Sequence, residues 1–113
     1  MTINPISPQP LPVQHAEEFV CVSAHPLLRQ PIIVVLRPAE TSRAPGQVFA
    51  RVPGIAAHGI GAGNEAAVDD LLHILLEARN DLRRDVYFGR ELAPWLRALL
   101  VFAEIVLVEE GAS

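Results

Sequence analysis

Residues 58–84 read HGIGAGNEAAVDDLLHILLEARNDLRR, a glycine-spaced run followed by a stretch from Asn64 to Arg84 that holds neither glycine nor proline. Asn64 is a residue type that caps helix N-termini well, because its side-chain oxygen accepts from an unpaired backbone N–H. Glu65 sets a carboxylate at the positive end of the helix dipole. Beyond it, Ala67, Val68, Leu71, Leu72, Ile74, Leu75, Leu76, Ala78 and Leu82 cover an arc of roughly 200° on a helical wheel. A helix lying only on a sheet needs about half of that. This helix is therefore expected to touch a sheet and something else as well. About 20 residues of helix span ~30 Å, while a six-residue strand spans ~20 Å. Its polar end, Arg79–Asp85, is expected to overhang.

The stretch before this helix reads as strands. Ile32–Arg37 (IIVVLR) is β-branched, continuous and apolar on both faces, the pattern of a strand inside a sheet. Glu18–Ser23 (EFVCVS) is a second β-prone run, and His25–Pro31 breaks the two apart. Pro38–Gly46 is polar and ends in Pro-Gly, which predicts a hairpin loop. Gln47–Val52 alternates apolar and polar residues and predicts a half-buried strand. Pro53-Gly54 turns the chain, and Ile55–Ile60 is expected to form a further short strand. Residues 1–16 hold Pro5, Pro8, Pro10 and Pro12, and so favour an extended tail over helix or sheet. The domain proper is expected over residues 17–113.

Asp85–Arg90 connects to a second apolar segment, Glu91–Val108, with Pro94 acceptable in a first helical turn. Only Arg97 and Glu104 interrupt its apolar surface. A helix apolar nearly all round is buried or forms an interface. The segment is short for a membrane span, and two charges near a bilayer centre would cost ~3 kcal/mol each. Its end, Ile105–Val108, could equally be a last strand. An interface along this helix is expected to use Trp95, Leu99, Phe102 and Val106.

Composition narrows the function classes. The chain has 113 residues, 50% of them hydrophobic, and a net charge of −4. That supports one packed domain and argues against a phosphate-driven grip on nucleic acid. Residues 55–113 carry ten carboxylates against five arginines, a balance that suits a small basic protein partner. Cys21 is the only cysteine, so no internal disulfide forms, and its apolar neighbours suggest a buried thiol. Met1–Val13 has neither a basic start nor an apolar run, so the expected location is the cytoplasm.

Candidate chemistry is sparse. Gly59, Gly61, Gly63 and Asn64 lie between a strand and a helix, where backbone N–H groups can face an anion or a nucleotide phosphate. The spacing fits neither the dinucleotide fingerprint nor the Walker pattern, and a flexible strand-to-helix turn competes. Asp69, His73 and Glu77, with Asp70 beside them, share one helical face; no second histidine-bearing helix completes a metal site, so neither metal nor cofactor is expected. His15 falls in the tail and His25 precedes a proline. Cys21 with His58 is a conceivable nucleophile and base, though nothing in the spacing supports it.

The order strand, hairpin loop, strand, Val52-Pro53-Gly54-Ile55, short strand ending at Gly59, then a helix opening Asn64-Glu65-Ala66-Ala67 resembles the HicB-like antitoxin family over about Pro31–Leu82. One proline-containing turn stands where the family often has two, the glycine run replaces the usual Asp-Thr cap, and Glu91–Ser113 lacks the basic DNA-binding character common in that family. The resemblance implies a partial RNase-H-like layer without catalytic acids, and a role in masking a small basic toxin.

The fold expected from all this is α+β in two layers: a three- or four-stranded antiparallel sheet, one long helix across it and a C-terminal helix. The expected function is non-catalytic protein binding by a homo-oligomer. The alternatives are anion binding at Gly59–Asn64, or service as a subunit of a larger assembly.

Overall fold

Ile32–Pro38 needs partners on both sides, because each residue of a buried strand carries backbone groups that must be paired. In the computed structural model, which describes residues 18–38 and 46–109, it finds them. The elements are β1 (Phe19–Ser23), β2 (Ile32–Pro38), β3 (Val48–Arg51), β4 (His58–Gly61), α1 (Asn64–Tyr87) and α2 (Pro94–Val106). The four strands form one sheet in the order β1-β2-β3-β4, every pair antiparallel. The architecture is α+β, with one long helix across the sheet and a second at the C-terminal end. The tail 1–16 and residues 39–45 of the hairpin loop lie outside the described residues.

Register assigns the faces, since paired residues share a side. Cys21 pairs with Val34, Leu36 with Ala50, and Ala50 with Gly59; these line the inner face beneath α1. Val20 pairs with Val35, Val22 with Ile33, and Phe49 with Ile60; these line the outer face. The inner layer is dry. Val34, Leu36, Ala50, Leu71, Leu72 and Leu75 are all buried in one cluster, and each leucine contributes roughly 1.5–3 kcal/mol by leaving water.

The wide apolar arc of α1 is used twice. Its contacts run to β4 and β3, and also to α2. Leu99, Ala103 and Val106 of α2 are buried in the same core. The end expected to overhang the sheet, Arg79–Asp85, is not left bare: Arg79 and Leu82 are buried, because α2 packs against α1. The first helix runs on to Tyr87, and the second begins only at Pro94.

Both readings of Ile105–Val108 hold in part. The helix continues to Val106, and Leu107 then turns extended to form an isolated bridge with Leu28. Arg29 N–H donates to the Val106 carbonyl (2.8 Å), and Val108 N–H donates to the Leu27 carbonyl (2.8 Å). These bonds tie the end of α2 to the β1–β2 connection.

The last strand is shorter than expected, His58–Gly61 rather than Ile55–Ile60. Residues 52–57 instead form a turn, with Ile55 N–H bonded to the Val52 carbonyl (3.1 Å). No helix among the described residues is long and apolar enough to cross a membrane.

Candidate functional site

The glycine run is explained by packing. A Cβ on Gly59 would lie 2.3 Å from the Leu71 nitrogen and 2.4 Å from the Ala67 carbonyl oxygen. One on Gly61 would lie 2.5 Å from the Ala67 nitrogen. Both contacts are with helix backbone, so any larger residue would push α1 off β4. Gly59 and Gly61 thus admit the helix to the sheet, and their inner faces are covered by it. Gly63, with φ +139°, is the N-cap, and Asn64 is the first helical residue and makes no capping hydrogen bond. The capping role expected of Asn64 falls to the glycine because only it tolerates that backbone angle.

The carboxylates on α1 are not only a solvated face. Asp70 Oδ2 accepts from Ile60 N–H (2.9 Å), closing the outer edge of β4. Asp69 Oδ1 meets His25 Nε2 at 2.9 Å, and the Asp69 carbonyl meets His73 Nδ1 at 2.8 Å. No group of three metal-ligating side chains occurs among the described residues.

A cleft of about 690 Å³ opens between β1 and the first turns of α1. Cys21, Ser23, His25, Leu36, Val68 and Asp69 line it. It exists because α1 sits over β3 and β4 and leaves the inner face of β1 uncovered. A thiol, a hydroxyl, an imidazole and a carboxylate thus meet in one place, which the sequence reading missed. The available signal was His25-Pro26, only four residues beyond Cys21. Cys21 and His58, the pair considered from sequence, lie on opposite faces and opposite edges of the sheet.

The hydrogen bonds decide what the cleft can do. Leu27 N–H donates to His25 Nδ1 (3.0 Å). That nitrogen is therefore the acceptor, and a neutral ring carries its proton on Nε2, which donates to Asp69. Both ring nitrogens are engaged, and neither faces Cys21 or Ser23. A nucleophile needs a base within hydrogen-bond reach, and His25 is turned away from that work. Cys21 Sγ instead approaches Ser23 Oγ at 3.6 Å. The thiol is half-buried, less enclosed than its sequence neighbours suggest.

At the far end of α1, three arginines hold the chain after α2. Arg83 forks onto both Glu104 oxygens (2.6 and 2.5 Å) and reaches Glu109 (2.8 Å). The charge-assisted hydrogen bonds from Arg83 hold both carboxyls below their ordinary value and raise the guanidinium above its own. Arg29 Nε donates to the Leu107 carbonyl (2.7 Å) and Arg79 Nη1 to the Val108 carbonyl (3.0 Å). Arg79 is fully buried, and its Nε and Nη2 meet no acceptor among the described residues.

The surface that remains is apolar. Val20 and Val22 are each 70% exposed on the outer sheet face, with Ile33 exposed beside them and Ile60 exposed at the far edge on β4. Arg37 lies over the Phe49 ring at 5.2 Å, and Arg51 pairs with Glu18 at 3.6 Å. The α2 face expected as an interface divides. Leu99 and Val106 point into the core, Trp95 in the first turn is exposed, and Phe102 is half-buried. The exposed apolar stripe of α2 runs instead along Ala98, Val101 and Ile105.

No protein-family model, no curated protein and no solved structure matches this chain.

Proposed function

We propose that this chain is a non-catalytic protein-binding module, the kind of role implied by its resemblance to HicB-like antitoxins. One observation carries the reading: on the outer face of the sheet, Val20, Val22 and Ile33 of β1 and β2 form an apolar patch that the described residues leave exposed. Antiparallel sheets that face water on one side normally alternate apolar-in with polar-out. Here β1 and β2 present valine and isoleucine outward, while the inward residues of β2, Ile32, Val34 and Leu36, are buried in the core. Contiguous apolar surface of this kind marks an interaction site.

The charge around that face also indicates the partner. Arg37 and Arg51 flank it, with Glu18 as their one described acid. The sheet therefore fits an apolar patch rimmed by carboxylates. A small basic toxin, the partner implied by the family resemblance, fits the carboxylates exposed along α1. The hydrogen bonds of His25 fit this reading, since Leu27 N–H and Asp69 occupy its two ring nitrogens.

Co-expression with the products of neighbouring reading frames, followed by affinity capture, tests the reading. The expected result is a stoichiometric complex that Ile33→Asp abolishes while its unfolding temperature stays at the parent value. Retention of the partner by Ile33→Asp and by Ile60→Asp would remove the sheet face from the function. Complexes that dissociate in salt only when Glu65 and Glu77 are intact would assign the partner to the helical side.

A further inference from the structure

We infer that β1 pairs with β1 of a second copy, antiparallel about a two-fold axis at Cys21, and that Phe19 of each copy enters the cleft of the other. This goes beyond the binding role proposed above and does not depend on it.

Three observations converge. First, β1 is the end strand of the sheet, and Phe19–Ser23 contains no proline and no charge. Native edges are usually blunted by such residues, by bulges or by covering elements. The opposite edge is blunted in that way, since Asp70 takes the Ile60 N–H. Second, the strand is complementary to itself. With Cys21 at the axis, Val20 faces Val22 of the other copy, and Phe19 faces its Ser23, so no charge meets a like charge. Val20 and Val22 from both copies would then join Ile33 in one outer surface.

Third, Phe19 and the cleft fit one another. Register puts Phe19 on the inner face with Leu36, yet it is 60% exposed, because α1 does not reach over β1. Across the axis it stands opposite Ser23 of the second copy, a residue that lines the cleft between Leu36 and Val68. The two-fold makes this happen twice.

Size shows which residue matters. A stable dimer buries ~1,200 Å² or more in total, and a five-residue strand pair alone falls short of that. Two inserted phenylalanines, each 60% exposed beforehand, add on the order of 100 Å² each. Phe19 is thus the anchor of the contact, and a micromolar dimer is the expected strength.

The test uses the full chain. Sedimentation equilibrium from micromolar to hundreds of micromolar should show a dimer for the parent. Phe19→Asp should weaken it by roughly tenfold or more while leaving thermal unfolding unchanged. A short bis-maleimide should link Cys21 to Cys21 in the parent and fail in Phe19→Asp. Ile33→Asp should leave the dimer intact, which separates this contact from partner binding on the sheet face. A parent monomeric at every concentration would overturn the proposal, as would a dimer whose strength and Cys21 linkage Phe19→Asp leaves unchanged.

Discussion

At β4 the sheet ends against α1: two glycines admit the helix, and Asp70 takes the outward N–H of Ile60. At β1 it ends in a bare apolar strand beside an open cleft. Both edges belong to one sheet, yet among the described residues one is closed and the other is bare. The long helix makes the difference. It lies over one pair of strands and its far half packs against α2, so neither described helix covers β1.

The closed edge should be the fragile one. Gly59→Ala forces a methyl group against helix backbone and should cost about 3 kcal/mol, the upper range for overpacking a core, read as a lower urea midpoint at unchanged slope. Arg79→Ala leaves a cavity and an unbonded Val108 carbonyl, and should cost about 2–3 kcal/mol by thermal unfolding. Arg79→Met fills the space without the two unpartnered nitrogens and should be near neutral or stabilising. Asp70→Ala uncovers the Ile60 N–H and should cost about 1 kcal/mol, with Asp70→Asn recovering most of it.

Acid weakens the far end of α1, where α2 returns. Glu104 and Glu109 titrate lower in the folded chain than their ordinary value of 4.5 because Arg83 holds their ionised forms. Their contribution is complete above about pH 5 and is lost as pH falls through the folded values, because the unfolded chain then binds more protons. An unfolding midpoint that stays flat below pH 4 would contradict this clasp. Both carboxylates are partly exposed, so the loss is modest. At the open edge, Val22→Thr should change stability by less than about 0.5 kcal/mol. A larger loss, measured on dilute protein, would mean that β1 is covered within the single chain.

Much of the layer arrangement was legible in order and periodicity. Ile32–Arg37 announced an interior strand, and the 200° arc of α1 announced a helix with two neighbours. The glycines at 59 and 61 were visible too, but their purpose was not. Strand-to-helix glycines serve phosphate binding and close packing alike, and the packing role shows only in three dimensions, where a Cβ on Gly59 would lie 2.3 Å from the Leu71 nitrogen. The pairing of Leu99 and Val106 with the core was hidden for a similar reason. An all-apolar helix does not say which side faces inward.

The amino-acid order by itself determined the elements and their faces, because backbone geometry imposes periods of 2 and 3.6 on any buried surface. It also determined that α1 needs a second neighbour. Where α1 lies across the strands was settled in three dimensions, by backbone contact at Gly59 and Gly61 and by the return of α2 over Arg79. That placement brought Asp69 to His25 and opened the cleft beneath β1, because the helix lies over β3 and β4 rather than across all four strands.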